Sequence, residues 1–67
     1  MLVNSSVISS VDYNPINKSL EVSFNSGSRY EYAEVPRDLF ISMSIAPSVG
    51  KFFNEEIKNS YSFNRIA

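Results

Sequence analysis

The chain has 67 residues, six basic and seven acidic, for a net charge of −1, and it contains neither cysteine nor histidine. Disulfides and thiolate metal sites are therefore excluded, and the side chain that most often acts as acid or base near neutral pH is missing. The charge balance also excludes the strongly basic surface with which proteins hold long nucleic acid by electrostatics alone.

A chain this short forms one domain and buries only about 60% of its unfolded surface. Ordering it costs about 100 kcal/mol, at roughly 1.5 kcal/mol per residue. The four tyrosines, five phenylalanines and the aliphatic residues must offset that cost, or the chain must self-associate. No apolar run approaches the roughly 20 residues of a membrane span. No basic segment followed by an apolar stretch marks a signal peptide. The expectation is a soluble cytoplasmic protein with no membrane partner.

Met1 to Ser6 reads as a frayed start. Val7 to Tyr13 mixes β-branched residues with serines and reads as a first strand. Its apolar positions Ile8, Val11 and Tyr13 break a strict period of two, and a bulge between Ser9 and Asp12 would restore one face. Asn14-Pro-Ile-Asn-Lys18 is a turn in which either Asn tolerates the left-handed region. Leu20 to Phe24 alternates cleanly, with Leu20, Val22 and Phe24 inward and Glu21 and Ser23 outward.

Asn25-Ser-Gly27 suits a three-residue hairpin loop closed by a left-handed glycine. That loop sets Phe24 opposite Ser28, Val22 opposite Tyr30 and Leu20 opposite Tyr32. Both tyrosines then share the inward face, and a slip of one residue would reverse them. They serve either as core residues with hydroxyls at the rim or as an exposed stacking platform. Arg29 and Glu31 fall on the outward face, with Glu31 set against Glu21 in a mildly repulsive pair.

Pro36 sets the start of a helix over Arg37 to Ile45. Leu39, Met43 and Ala46 form one stripe with Phe40 beside it, while Ile41 and Ile45 lie on nearly the opposite side. That second apolar side either packs under the neighbouring helix or forms an exposed patch for a homo-oligomer. Pro47 breaks the run, and Ser48 caps a second helix over Val49 to Ser60. Val49, Phe52, Phe53, Ile57 and Tyr61 make its buried stripe, with Lys51, Asn54, Glu55 and Lys58 on the wet side. Ser62 to Ala67 reads as a short tail. The fold class is α+β: a three-stranded antiparallel β-meander followed by two C-terminal helices packed on one face.

Several short motifs occur in a fixed order: Ser5-Ser-Val-Ile8, Val11-Asp-Tyr13, Leu20-x-Val22-x-Phe24, Gly27 and Tyr30-x-Tyr32. They continue with Val35-Pro36, Ala46-x-Ser48-x-Gly50, Phe53-Asn54 and Ile57. Together they resemble the KTSC family, a small domain found at the C-terminus of some lysyl-tRNA synthetases and also as free-standing proteins. The resemblance spans Ser5 to Tyr61 and implies an RNA-binding module. The chain departs from the pattern where Glu55 and Glu56 stand between Lys51 and Lys58, and where Asp12 replaces a glycine.

No residue set looks catalytic. Glu55 and Glu56 are adjacent on a helix, so their side chains diverge, and no serine has a basic partner in a recognisable motif. Asp38 at a helix start is explained by the helix dipole. No metal and no cofactor is expected. For binding, the candidates are Arg29, Tyr30, Tyr32, Arg37, Lys51, Phe52, Asn54, Lys58 and Arg65. An aromatic ring would stack on a base while Arg or Lys met phosphate. The expected function is a non-catalytic binding module for RNA, short single-stranded nucleic acid or a nucleotide, such as a small phage or bacterial protein would use to sequester its ligand. The alternative is a structural or protein-interaction module that self-associates through Ile41 and Ile45.

Overall fold

The centre of the sheet is the alternating segment β2, Ser19–Phe24, in which Leu20 and Val22 are fully buried. It pairs antiparallel with β1, Ile8–Asn14, and with β3, Arg29–Tyr32. The structure, a computed structural model, describes all residues from Met1 to Ala67. The β1 register shifts between Ile8 and Ser10, which places a bulge at Ser9, the near end of the expected segment. The bulge brings Ile8 and Val11 onto one buried face, and the Ser9 hydroxyl donates to the Ser23 carbonyl at 3.1 Å.

The loop from β1 to β2 is held by the Asn14 side chain, whose Oδ1 accepts from the Ile16 and Asn17 amides at 2.9 and 3.3 Å. The left-handed residue there is Lys18, at φ 56°, and neither Asn adopts that conformation. Gly27 takes φ 98° in the β2–β3 loop, and the Phe24 amide bonds the Ser28 carbonyl at 2.9 Å. Leu20 then faces Tyr32, and Val22 faces Tyr30, as the loop length requires. Glu21 does face Glu31. The repulsion is offset because the Arg29 guanidinium, one diagonal step away, pairs with Glu21.

The sheet has four strands, which corrects the expected three. Phe63–Arg65 forms β4 and pairs antiparallel with β3, setting Tyr32 against Phe63 and Tyr30 against Arg65. The Ala33 amide donates to Ser62 O and the Ile66 amide to Arg29 O, each at 2.8 Å. Without this strand β3 would present an unpaired edge, so the apparent tail satisfies it. The start of the chain is ordered for the same reason. Val3 N–H donates to Ser9 O at 3.0 Å and Val11 N–H to Met1 O at 2.9 Å, so this segment covers the outer edge of β1.

Two helices close the inner face. The first, α1 (Arg37–Ser44), starts after Pro36 without a side-chain cap and carries Asp38 in its first turn, where the helix dipole favours a carboxylate. Met43 is buried, and Leu39 and Phe40 pack partly against the core. The Tyr13 ring stacks on Phe40 at 4.9 Å, and its hydroxyl donates to the Val35 carbonyl at 2.6 Å, so one residue fixes α1 to the sheet. Ile41 and Ile45 are 44% and 79% exposed, so the second apolar side does not lie under its neighbour.

The second helix, α2 (Val49–Glu56), is capped by Ser48, whose Oγ accepts from the Lys51 amide at 3.2 Å. A Cβ at Gly50 would stand 3.1 Å from Ser5 Oγ. That oxygen already accepts from the Val7 and Ile8 amides, so Gly50 permits α2 to sit directly on the turn that opens β1. Phe53 and Ile57 are buried in the common core. The helix ends at Glu56, not at the expected Ser60. Lys58 N–H reaches back five residues to Phe53 O at 2.9 Å, and the chain turns away. Ending there lets Phe63 return to the edge of β3.

Tyr32 is only 3% exposed. Burial, and secondarily the neighbouring Tyr30, raises its phenol pKa above the ordinary 10.0.

Two outcomes follow for stability. Ile57→Ala removes a fully buried side chain and should cost about 2–5 kcal/mol in urea unfolding. Tyr13→Phe keeps the stack on Phe40, loses one hydrogen bond and should cost only about 0.5–1.5 kcal/mol. The pH dependence has a definite sign. A raised Tyr32 pKa means that the folded state favours the protonated phenol, so this contribution is fully present below the unfolded value near 10.0 and is lost as pH rises through the higher folded value. Thermal melts of the wild type should fall off in that alkaline range more steeply than those of Tyr32→Phe.

Candidate functional site

The inner face is not covered along its whole length. Where β2, β3 and β4 pass the end of α2, five rings meet. Phe24 packs edge-on against Tyr30 and Phe53, at 5.6 and 5.8 Å between centroids. Tyr32 packs edge-on against Phe53 at 5.3 Å. Phe63 lies at 5.3 Å from Tyr30 and 5.4 Å from Tyr32, tilted by 34° and 37°. The register makes this cluster: Tyr30, Tyr32 and Phe63 alternate with outward residues, and pairing puts Phe63 beside Tyr32.

These rings floor an open groove of about 590 Å³. Ser6 and Val7 form one wall, and the β2–β3 loop forms another. Asn25 ties the two walls together, with its Nδ2 donating to Ser5 O at 3.0 Å and its backbone amide to Val7 O at 2.8 Å. Asn54, Lys58 and Asn59 supply the opposite rim. The early end of α2 is what places Lys58 and Asn59 there. Phe63 is 51% exposed and Val7 56%, while Tyr30 is half-buried, so apolar surface stays open to water.

Among the groove residues only Lys58 carries a formal charge. The other polar groups are amides, serine hydroxyls and phenols. A smaller hollow of about 270 Å³ adjoins the groove and shares Ser6, Val7, Phe53 and Asn54 with it. Lys51 and Ser48 line that hollow. No group of three or more acidic, cysteine or histidine residues comes close enough to hold a metal ion. No helix is long and apolar enough to cross a membrane.

The expected binding residues divide by position. Tyr30, Tyr32, Asn54 and Lys58 meet in the groove, and Lys51 lies in the adjoining hollow. Arg65 stands opposite Tyr30 on β4, with its Nε bonded to Ala67 O at 3.0 Å. Arg29 occupies the other face of the sheet, in its ion pair with Glu21, because alternation separates it from Tyr30. Arg37 begins α1, and Phe52 packs partly against the core; neither lines the groove. The cations therefore do not converge on one edge. Tyr32 is buried in the core, Tyr30 packs partly against that core, and both line the groove.

Sequence reasoning missed Phe24, Phe53 and Phe63 as groove residues. The available signal for Phe63 was the alternation Tyr61-x-Phe63-x-Arg65, which has the period of a strand. Chemically, the groove offers flat π faces, neutral hydrogen-bonding groups and one ammonium. That combination suits a planar ligand carrying an anionic group.

Comparison with known proteins agrees with the motif order. A lysine–tRNA ligase of Nostoc punctiforme is 37% identical over 62 residues, which is 92% of this chain and 11% of the ligase. The chain thus spans about a tenth of the length of the ligases it matches. An uncharacterized protein of Stutzerimonas stutzeri is 37% identical over 65 residues, covering 96% of this chain and 92% of that protein. The crystal structure of a KTSC domain protein from Yersinia pestis superposes with a TM-score of 0.96 at 34% identity, over 100% of this chain and 94% of that one. The KTSC domain model matches residues 4–61, and with nearly the whole chain accounted for in sequence and in fold, the chain belongs to the KTSC domain family.

Proposed function

We propose that this KTSC domain is a non-catalytic binding module for an unpaired nucleotide, in single-stranded RNA or free. The observation that carries the reading is the groove itself: Tyr30 and Phe63 line it and are partly open to water, with Lys58 and Asn54 at the rim. Aromatic side chains stack on any base, and each stacked base is worth about 1–3 kcal/mol. A lysine beside such a platform meets the phosphate that accompanies the base. The similarity to lysine–tRNA ligases supports the reading, since those proteins are named for a tRNA substrate. The near-neutral charge favours a short contact over a long duplex.

Fluorescence anisotropy with labelled single-stranded RNA at low salt tests the proposal. Phe63→Ala should weaken binding about 5- to 150-fold, the range that follows from losing one stack. Lys58→Glu should weaken it further than Lys58→Gln, with unchanged melting temperatures. Absence of binding by the wild type, or full affinity in Phe63→Ala, would remove the groove as the site.

A second reading has its own observation. Ile41 and Ile45 are exposed on one side of α1, with Ile45 at 79%, and such a patch serves self-association. Under that reading sedimentation of the wild type shows an oligomer that Ile41→Glu with Ile45→Glu converts to a monomer. A wild-type monomer at high concentration would exclude it.

A further inference from the structure

We infer that the groove takes a single unstacked base together with one phosphate, so that its RNA ligand is a loop or a strand end and not a duplex or a charged track. The inference rests on the nucleotide-binding reading above and specifies its footprint.

Four observations carry it. The groove measures about 590 Å³, within the roughly 300–1,000 Å³ range of clefts that hold one small ligand. Its open rings, Tyr30 and Phe63, adjoin at 5.3 Å with a tilt of 34°. Rings this close pack on each other and leave no gap for a base between them. The walls are fixed by the Asn25 bonds to Ser5 and Val7, so a base must leave its own stack to enter.

Charge gives the fourth observation. Lys58 is the one charged residue lining the groove. Glu55 and Glu56 precede it on α2, Arg29 is paired on the far face, and Arg37 begins α1. Beyond the groove stand Lys51, in the adjoining hollow, and Arg65, opposite Tyr30 with its Nε on Ala67 O, so the groove itself offers a strand one cation and not a row. Discrimination falls to neutral groups around the ring face: Asn54, Asn59, Ser28 and the Tyr32 hydroxyl. These can bond a base edge only when that edge is not already paired.

The test is a competition series read at several salt concentrations. The probes are a nucleoside, its monophosphate, homopolymer RNA strands of increasing length, a blunt RNA duplex, and a hairpin with the same stem and an open loop. Affinity should rise from nucleoside to monophosphate and then, per site, stay level as the strand lengthens. The hairpin should compete and the duplex should not. For one phosphate the logarithmic salt slope is about −0.7, so a fivefold rise in salt should weaken binding only about threefold. Lys58→Gln should flatten that slope, and Arg37→Gln should leave it unchanged.

Affinity that climbs with each added nucleotide would overturn the footprint, as would duplex binding or a roughly thirtyfold loss over the same salt range, the value for about three phosphates. In those cases nucleotide binding itself would stand. Failure of every probe to bind would remove both the footprint and the reading beneath it.

Discussion

Gly27, at φ 98°, closes a loop of three residues between β2 and β3. That count leaves Phe24 opposite Ser28 and sends Tyr30 and Tyr32 to the inner face. Adding or removing one residue would turn every side chain of β3 over. Tyr32 would leave the core and Arg29 would enter it. The place of Phe63 depends on the same register, because β4 takes its alignment from β3. The aromatic groove is thus a consequence of one turn whose geometry only a residue tolerant of positive φ satisfies.

The groove also reflects how little chain there is to cover the sheet. Each helix has eight residues, and so is about 12 Å long. Four strands spaced about 4.8 Å apart span a comparable width, and the hairpin tip extends past it. The helices therefore seal the half of the inner face near Leu20, Val22 and Val35, where exposure is zero. At the other end Phe24 reaches Phe53 of α2, while Tyr30 and Phe63 pack on rings of the sheet. The two ends of the sequence add the outermost backbone pairings of the sheet, Met1–Val3 beside β1 and β4 beside β3. A domain without disulfides thus uses backbone pairing at its margins to compensate for a small core.

What the sequence revealed and what it hid follow the range of the forces involved. β2, its register with β3 and the starts of both helices depend on local spacing, turn length and capping. They were legible from Leu20 to Phe24, from Gly27 and from Ser48. The bulge at Ser9 was visible as a break in a period of two. β4 was read as a tail, because the alternation Tyr61-x-Phe63-x-Arg65 is short and the strand's stability comes from pairing with β3, more than thirty residues earlier in the chain. The end of α2 was hidden for the same reason: Ile57 and Tyr61 continue the helical spacing, yet the return to β3 requires the chain to turn. Of the residues that line the groove, Tyr30, Tyr32, Asn54 and Lys58 were legible as candidates. Arg29 could have been set aside, since its alternation with Tyr30 already placed it on the other face.

The groove is largely organised before any ligand arrives. Tyr32 and Phe53 are buried, and Phe24 and Tyr30 are held edge-on between them and the loop. Fixing such rings on binding costs little, because folding has already removed their freedom. Lys58 is different: its long exposed side chain loses rotamer entropy when it contacts a phosphate, and an exposed charge pair returns at most about 1 kcal/mol. In the proposed reading, stacking would supply most of the affinity and Lys58 mainly the orientation of the ligand. A site of that kind would bind weakly in isolation. Attached to a larger protein that already holds the same RNA, a weak contact gains effective concentration without any new interaction. In that setting the proposed contact would need no more than one lysine and an open phenylalanine.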